Sequence, residues 1–180
     1  MASTPAAVPV LLITGATGVG KTLVASEVSW LLRQEPSGGV EHARLDWDTL
    51  TNSTPPMSHA NAMAALAGAW DQHQRAGAHR LVLAASLERR EMFDDIPRAI
   101  PGAQIEAFCL VASERELARR LRRREMGGSG VRYINDIAAD LRVYEILRGQ
   151  IERVETEGRS AVEVATEVVQ RSGWLAEGRR

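Results

Sequence analysis

Residues 8–22 read Val8-Pro9-Val10-Leu11-Leu12-Ile13-Thr14-Gly15-Ala16-Thr17-Gly18-Val19-Gly20-Lys21-Thr22, an apolar run that passes through a glycine-rich turn. Val8 to Ile13 is brief and flanked by Pro9 and Gly15, so it predicts a buried strand rather than a helix. Beyond the turn, Leu23, Val24, Val28, Leu31 and Leu32 recur at helical spacing as far as Arg33, and Pro36-Ser37-Gly38-Gly39 closes the segment. Between that strand and that helix, Gly15 to Thr22 (GATGVGKT) matches G-x-x-x-x-G-K-[ST] in full. Glycines let successive backbone N–H groups turn inward around an anion, the helix N-terminus adds positive potential, and a threonine hydroxyl suits Mg2+. Gly15, Ala16, Thr17, Gly18, Val19, Gly20, Lys21 and Thr22 are therefore the expected nucleotide-binding residues, with ATP and Mg2+ the expected cofactors. Lys21 is also the only lysine in the chain, every other basic side chain of the cationic set being arginine. A compact ammonium has been kept at the one place where it must reach between phosphates.

Outward from this loop, apolar runs and helical periods alternate. Ala43 to Asp48 reads as a second strand, followed by the polar loop Thr49 to Ser58 and by a helix from Ala60 to Ala76 with Met63, Leu66 and Trp70 on one face. Arg80 to Ala85 is the third strand, and Phe93, Ile96 and Ile100 mark an irregular helix that stops at Pro101-Gly102. Ile105 to Val111 is the fourth. Ser113 with Glu116 is a capping-box pattern that opens a helix through Arg119 to Arg124, ended by Gly127-Gly128-Ser129-Gly130. Ile134, Ile137, Leu141, Tyr144, Leu147 and Ile151 predict a long helix, Val154 to Thr156 a short fifth strand, and Ser160 with Glu163 the cap of a last helix. Such alternation implies parallel βαβ units with helices on both faces of a central sheet, and the order expected for its five strands is 2-3-1-4-5.

The bulk numbers allow this. A chain of 180 residues, 44% hydrophobic, is the size of one domain with a full core, taken as residues 1–180. A net charge of -1 and a pI near 6.4 give no global footprint for nucleic acid or an anionic membrane. No stretch approaches a bilayer-spanning length and the N-terminus lacks a basic signal region, so the expected setting is cytoplasmic. The single Cys109 lies in an apolar run and reads as a buried thiol.

Asp46 and Asp48, two residues apart on the second strand, are expected on one face of it and at the carboxyl edge of the sheet beside the phosphate loop. The alternative is a solvated strand end with two surface acids. In the functional reading Asp48 relieves an acceptor hydroxyl of its proton, and Asp46 holds a water on the Mg2+ bound through Thr22. His42, His59, His73 and His79 have no metal-ligand spacing and read as surface or structural. Trp47, beside the acids, is a candidate wall of an acceptor pocket.

On these residues the chain resembles the small P-loop kinases: shikimate, gluconate and adenylylsulfate kinase, chloramphenicol phosphotransferase and the nucleoside monophosphate kinases. It is most similar to short ATP-binding proteins of actinobacteria built on the same plan. Leu45-Asp46-Trp47-Asp48 is similar to the D-x-D of shikimate and adenylylsulfate kinases, and Arg120-Leu121 with Arg124 is similar to the R-L-x-x-R that opens their lid, here around 119–135. Glu155-Thr156-Glu157-Gly158-Arg159-Ser160 looks like their final strand and adenine-side loop. The resemblance implies a P-loop NTPase fold and phosphorylation of a hydroxyl on a small molecule. Two departures stand out: Ala84-Ala85-Ser86 offers no Walker B acid after strand three, and the lid is short.

Among the arginines of 115–124, most are expected to pair with Glu114, Glu116 and Glu125 on a solvated helix face. Position in the lid selects Arg120 and Arg124 to face the phosphates, with Lys21 and Asp48 completing the catalytic set. Two alternatives remain at this level. A nucleoside monophosphate kinase needs arginines for an acceptor phosphate, and Thr49 to Ala76 contains only Arg75. A non-catalytic ATP-binding regulatory module needs none of the acceptor chemistry. Neither the acceptor nor the oligomeric state is legible from the residues.

Overall fold

The computed structural model of the chain describes residues 6–34, 39–124, 144–145, 147 and 149–175, with Arg124 described in its backbone only. Five strands, β1 (Val8–Gly15), β2 (His42–Asp46), β3 (Arg80–Ala84), β4 (Ala103–Val111) and β5 (Glu152–Glu155), form one parallel sheet. Their order is β2-β3-β1-β4-β5, the order expected. The helices are α1 (Lys21–Arg33), α2 (Trp47–Thr51), α3 (His59–Arg75), α4 (Arg90–Ala99), α5 (Glu114–Arg124) and α6 (Ala161–Ser172).

β1 lies at the centre of the sheet and is covered on both faces, which is why its sequence is an unbroken apolar run rather than an alternation. Leu11 and Ile13 point into one core layer with Phe108 and Leu110 of β4, Val24 and Val28 of α1, Leu117 and Leu121 of α5, and Val164 and Val168 of α6. Val8, Val10 and Leu12 point the other way, against Leu45, Leu81, Leu83, Leu66 and Trp70 of α3, and Met92 and Ile96 of α4. Leu11, Leu12 and Ile13 are fully buried, and each such side chain contributes roughly 1.5–3 kcal/mol relative to exposure. The two layers together clamp β1, and so fix the direction in which the phosphate loop leaves it.

The fold departs from expectation in several places. β2 stops at Asp46, and residues 47–51 are helical where a strand end and a loop were expected. Two contacts hold this turn: the Asp46 carboxylate accepts from Thr49 N at 3.1 Å and caps α2, and Trp47 packs into the core. Trp47 is buried in the core layer with Leu45 and Leu66, so it is a packing residue and not a pocket wall. On α1, Leu23 is 57% and Trp30 49% exposed, so the helix buries a narrower stripe than its leucines suggested. Finally, Gly149 and Gln150 form a turn and Ile151 borders β5, so the expected helix does not reach Ile151; Ile134, Ile137 and Leu141 lie outside the described residues. The capping box at Ser160 and Glu163 is complete. At Ser113 only half of it forms: Ser113 Oγ accepts from Glu116 N at 3.2 Å, but Ser113 N donates to Glu157 instead. Among the described residues no helix is long and apolar enough to cross a membrane.

Candidate nucleotide and phosphoryl-transfer site

Gly15 to Thr22 leaves the carboxyl end of β1 and enters α1, as the motif requires. Two of its glycines are sterically obligatory. Gly15 has φ +142, and a Cβ there would lie 2.5 Å from Leu110 O. Gly18 has φ +85, and a Cβ there would lie 2.8 Å from Leu121 Cγ. α1 starts after Gly20, which makes no side-chain cap bond, and a helix N-terminus presents backbone N–H groups and positive potential suited to an anion. Lys21 is 8% exposed, and its Nζ donates to Gly15 O at 2.9 Å and to Ala16 O at 3.3 Å. The loop's own carbonyls thus hold the ammonium against the ring of backbone that surrounds a phosphate.

Thr22 Oγ1 donates to Asp46 Oδ2 at 2.7 Å. β2 therefore delivers its last residue to the end of the phosphate loop, although the two strands are separated in the sheet by β3. The expected shared strand face for Asp46 and Asp48 does not exist. Asp48 lies in the first turn of α2, exposed, where a two-residue step rotates a side chain roughly 200° rather than returning it to the same face. Asp46 bridges Thr22 and the α2 N-terminus, and Asp48 sits one step into that helix. Hard oxygen donors such as the Thr22 hydroxyl and Asp46 carboxylate fit Mg2+, which takes one or two protein oxygens and completes its shell with phosphate and water. Among the described residues no group of three or more His, Cys, Asp and Glu side chains is placed to hold a metal ion.

Arg120 is placed differently from expectation. Its Nε donates to Glu116 at 2.8 Å, one terminal nitrogen to Val19 O at 2.9 Å and Thr156 Oγ1 at 3.1 Å, and the other to Thr156 O at 3.0 Å. The guanidinium braces the tip of the phosphate loop against the segment after β5 instead of reaching over the loop. Arg119 also bonds Glu116, and these two arginines pull the Glu116 carboxyl down to about 2. The side chain of Arg124 and residues 125–135 of the expected lid lie outside the described residues.

The remaining candidates behave as packing groups. Burial pushes the Cys109 thiol up to about 12, which removes it as a nucleophile near neutrality. His42 bonds Ser29 Oγ at 2.8 Å and Val40 O at 2.6 Å, and burial lowers its pKa. His59 meets Asp95 at 2.8 Å and ties the start of α3 to α4, holding the Asp95 carboxyl below its usual range. Sequence reading also missed two groups at the loop. Tyr144 figured only as an apolar repeat position, yet its hydroxyl accepts from Gly15 N at 3.1 Å. Thr156 is likewise drawn in by Arg120.

No family model matches the chain, and no curated protein does. Solved structures do. A gluconokinase from Sinorhizobium meliloti aligns with a TM-score of 0.60 at 18% identity over 97% of this chain and 93% of that one. The tunicamycin resistance protein of Deinococcus radiodurans aligns at 0.60 and 18% identity, over 92% and 96%. A shikimate kinase from Acinetobacter baumannii aligns at 0.58 and 14%, over 96% of each chain. At these identities the fold is what is shared, and it is the fold of P-loop kinases. The similarity to short actinobacterial ATP-binding proteins rests on the sequence pattern alone.

Proposed function

We infer that this chain is an ATP-dependent phosphotransferase, acting in the cytoplasm, that transfers the γ-phosphoryl group to a hydroxyl of a small molecule. The observation that carries this reading is the 2.7 Å contact between Thr22 and Asp46 at the mouth of a complete phosphate loop. It joins a nucleotide-binding element to an acidic one, which phosphoryl transfer to a hydroxyl requires. The structural neighbours named above, a gluconokinase and a shikimate kinase, support the same reaction class.

In this reading the backbone amides of 15–22 and Lys21 bind the terminal phosphates, and Thr22 and Asp46 hold Mg2+. The ion supplies charge neutralisation on the phosphates when bound. Asp48 accepts the proton of the acceptor hydroxyl as its oxygen bonds to phosphorus and the bond from phosphorus to the leaving ADP oxygen breaks. Arg120 keeps the loop tip fixed, so that its donors need no reorganisation as charge develops. Arg75 is the only arginine between Thr49 and Ala76; it lies at the end of α3 and pairs with Asp71 at 3.0 Å. That placement disfavours the nucleoside monophosphate kinase alternative.

The test is phosphoryl transfer from Mg-ATP to a panel of neutral, carboxylated and aminated hydroxyl compounds, followed by phosphorus NMR, with Asp48→Asn as control. A phosphorylated acceptor formed by the wild type and not by the variant supports the reading. ATP binding without transfer to any member of the panel points to the nucleotide-sensing module instead.

A further inference from the structure

We propose that Tyr144 is a positioning residue for Lys21, acting through Gly15; the proposal rests on the reading of residues 15–22 as a phosphate loop. In a parallel sheet a strand's backbone groups alternate between its two neighbours. Ile13 O accepts from Ala85 N at 3.1 Å, on the β3 side of β1. Gly15, two residues on, faces the same side, but β3 has ended at Ala84. Its amide and its carbonyl therefore extend past the last strand partner.

Two side chains take their place. Gly15 N donates to the Tyr144 hydroxyl at 3.1 Å, and Gly15 O accepts from Lys21 Nζ at 2.9 Å. One residue thus carries the tyrosine on its N–H and the lysine on its C=O. The hydroxyl also lies 3.4 Å from Oγ1 of Thr14, which is fully buried. The tyrosine ring packs against both core layers, so the oxygen is held from two sides. Gly15 is buried, and a buried amide that loses its partner is costly. The N–H and C=O of Gly15 lie in adjacent peptide planes hinged at its Cα, so a change of the Gly15 dihedrals that lets the amide recover a partner also shifts the carbonyl on which Lys21 rests. No local pattern in the sequence signals this, because the tyrosine follows the expected lid and is 129 residues from Gly15.

Tyr144→Phe keeps the ring and removes the oxygen. Because the lysine of such a loop serves the β- and γ-phosphates, the variant should lose about three- to tenfold in Mg-ATP affinity by calorimetry, and less than about twofold in AMP affinity. The thermal midpoint should fall by no more than a few degrees, the size expected of one lost hydrogen bond. Unchanged ATP affinity overturns the proposal, as does an equal loss for ATP and AMP accompanied by a larger fall of the midpoint, which is a structural role only. If Lys21→Ala loses ATP while Tyr144→Phe does not, the positioning role alone fails; if the wild type does not bind ATP, the loop reading fails with it. Should the variant not fold, hydrogen exchange of the wild-type Gly15 amide decides. Protection like that of the β1 amides supports the bond, and exchange at an open-loop rate overturns it.

Discussion

Thr22 and Asp46 stand 24 positions apart and share one 2.7 Å hydrogen bond, in which the hydroxyl donates to the carboxylate. The same carboxylate caps α2 through Thr49 N, so the proposed metal-binding group and a helix start depend on one side chain.

Those two roles separate by substitution. Asparagine caps a helix about as well as aspartate, so Asp46→Asn should keep α2 and raise the Mg2+ concentration needed for ATP binding. Asp46→Ala should add a stability loss of about 1 kcal/mol. Mg2+ titrations of nucleotide binding, with denaturant unfolding of both variants, check this; an unaltered Mg2+ requirement in both removes Asp46 from the metal site.

Lys21 is buried, and its ammonium is held by two loop carbonyls. Lys21→Ala should keep the fold and lower Mg-ATP affinity about 10- to 100-fold, the range of a lost charge-assisted contact. Equal affinities by titration calorimetry would falsify the loop assignment.

Gly18 and Leu121 test the steric floor of the loop. Leu121→Ala alone should destabilise the protein by about 2–5 kcal/mol, since Leu121 is 1% exposed in the core. Gly18→Ala should weaken ATP binding through both the contact with Leu121 and the φ of +85. Combining the two removes the contact and leaves the dihedral, which costs an L-residue about 1–2 kcal/mol. ATP affinity should therefore not return to the wild-type value in the double variant.

The arginine brace on Glu116 makes an acid-range prediction. The folded carboxyl titrates at about 2 against an ordinary value of 4.5, chiefly through its bonds to Arg119 and Arg120. A depressed carboxylate stabilises the fold above its ordinary value and loses that contribution as pH falls toward its folded value. Unfolding measured from pH 7 to 2 should show wild type losing stability between about 4.5 and 2. In Glu116→Gln that part of the acid sensitivity should be missing, with a constant deficit above pH 5.

Much of this was legible in order along the chain. The strand–turn–helix run through Gly15 to Thr22 and the complete cap at Ser160 each rest on residues within a few positions of one another, where strand, turn and cap preferences act. The second acid was misplaced for the same kind of reason in reverse. Asp46-Trp47-Asp48 reads equally as a strand end or as a helix cap, and packing of Trp47 into the core under α2 selects the helix.

What the sequence determined by itself is the glycine-rich loop between β1 and α1, because its glycines are demanded by local backbone shape and its pattern is the one that suits a phosphate. What only the tertiary structure decided is who holds that loop. Arg120 turns to Val19 and Thr156, and Tyr144 to Gly15, because sheet pairing brings β5 beside β4 and leaves Gly15 beyond the end of β3. Those partners are more than 100 residues from the loop atoms they touch, and no periodicity or motif encodes a contact that only the closed sheet creates.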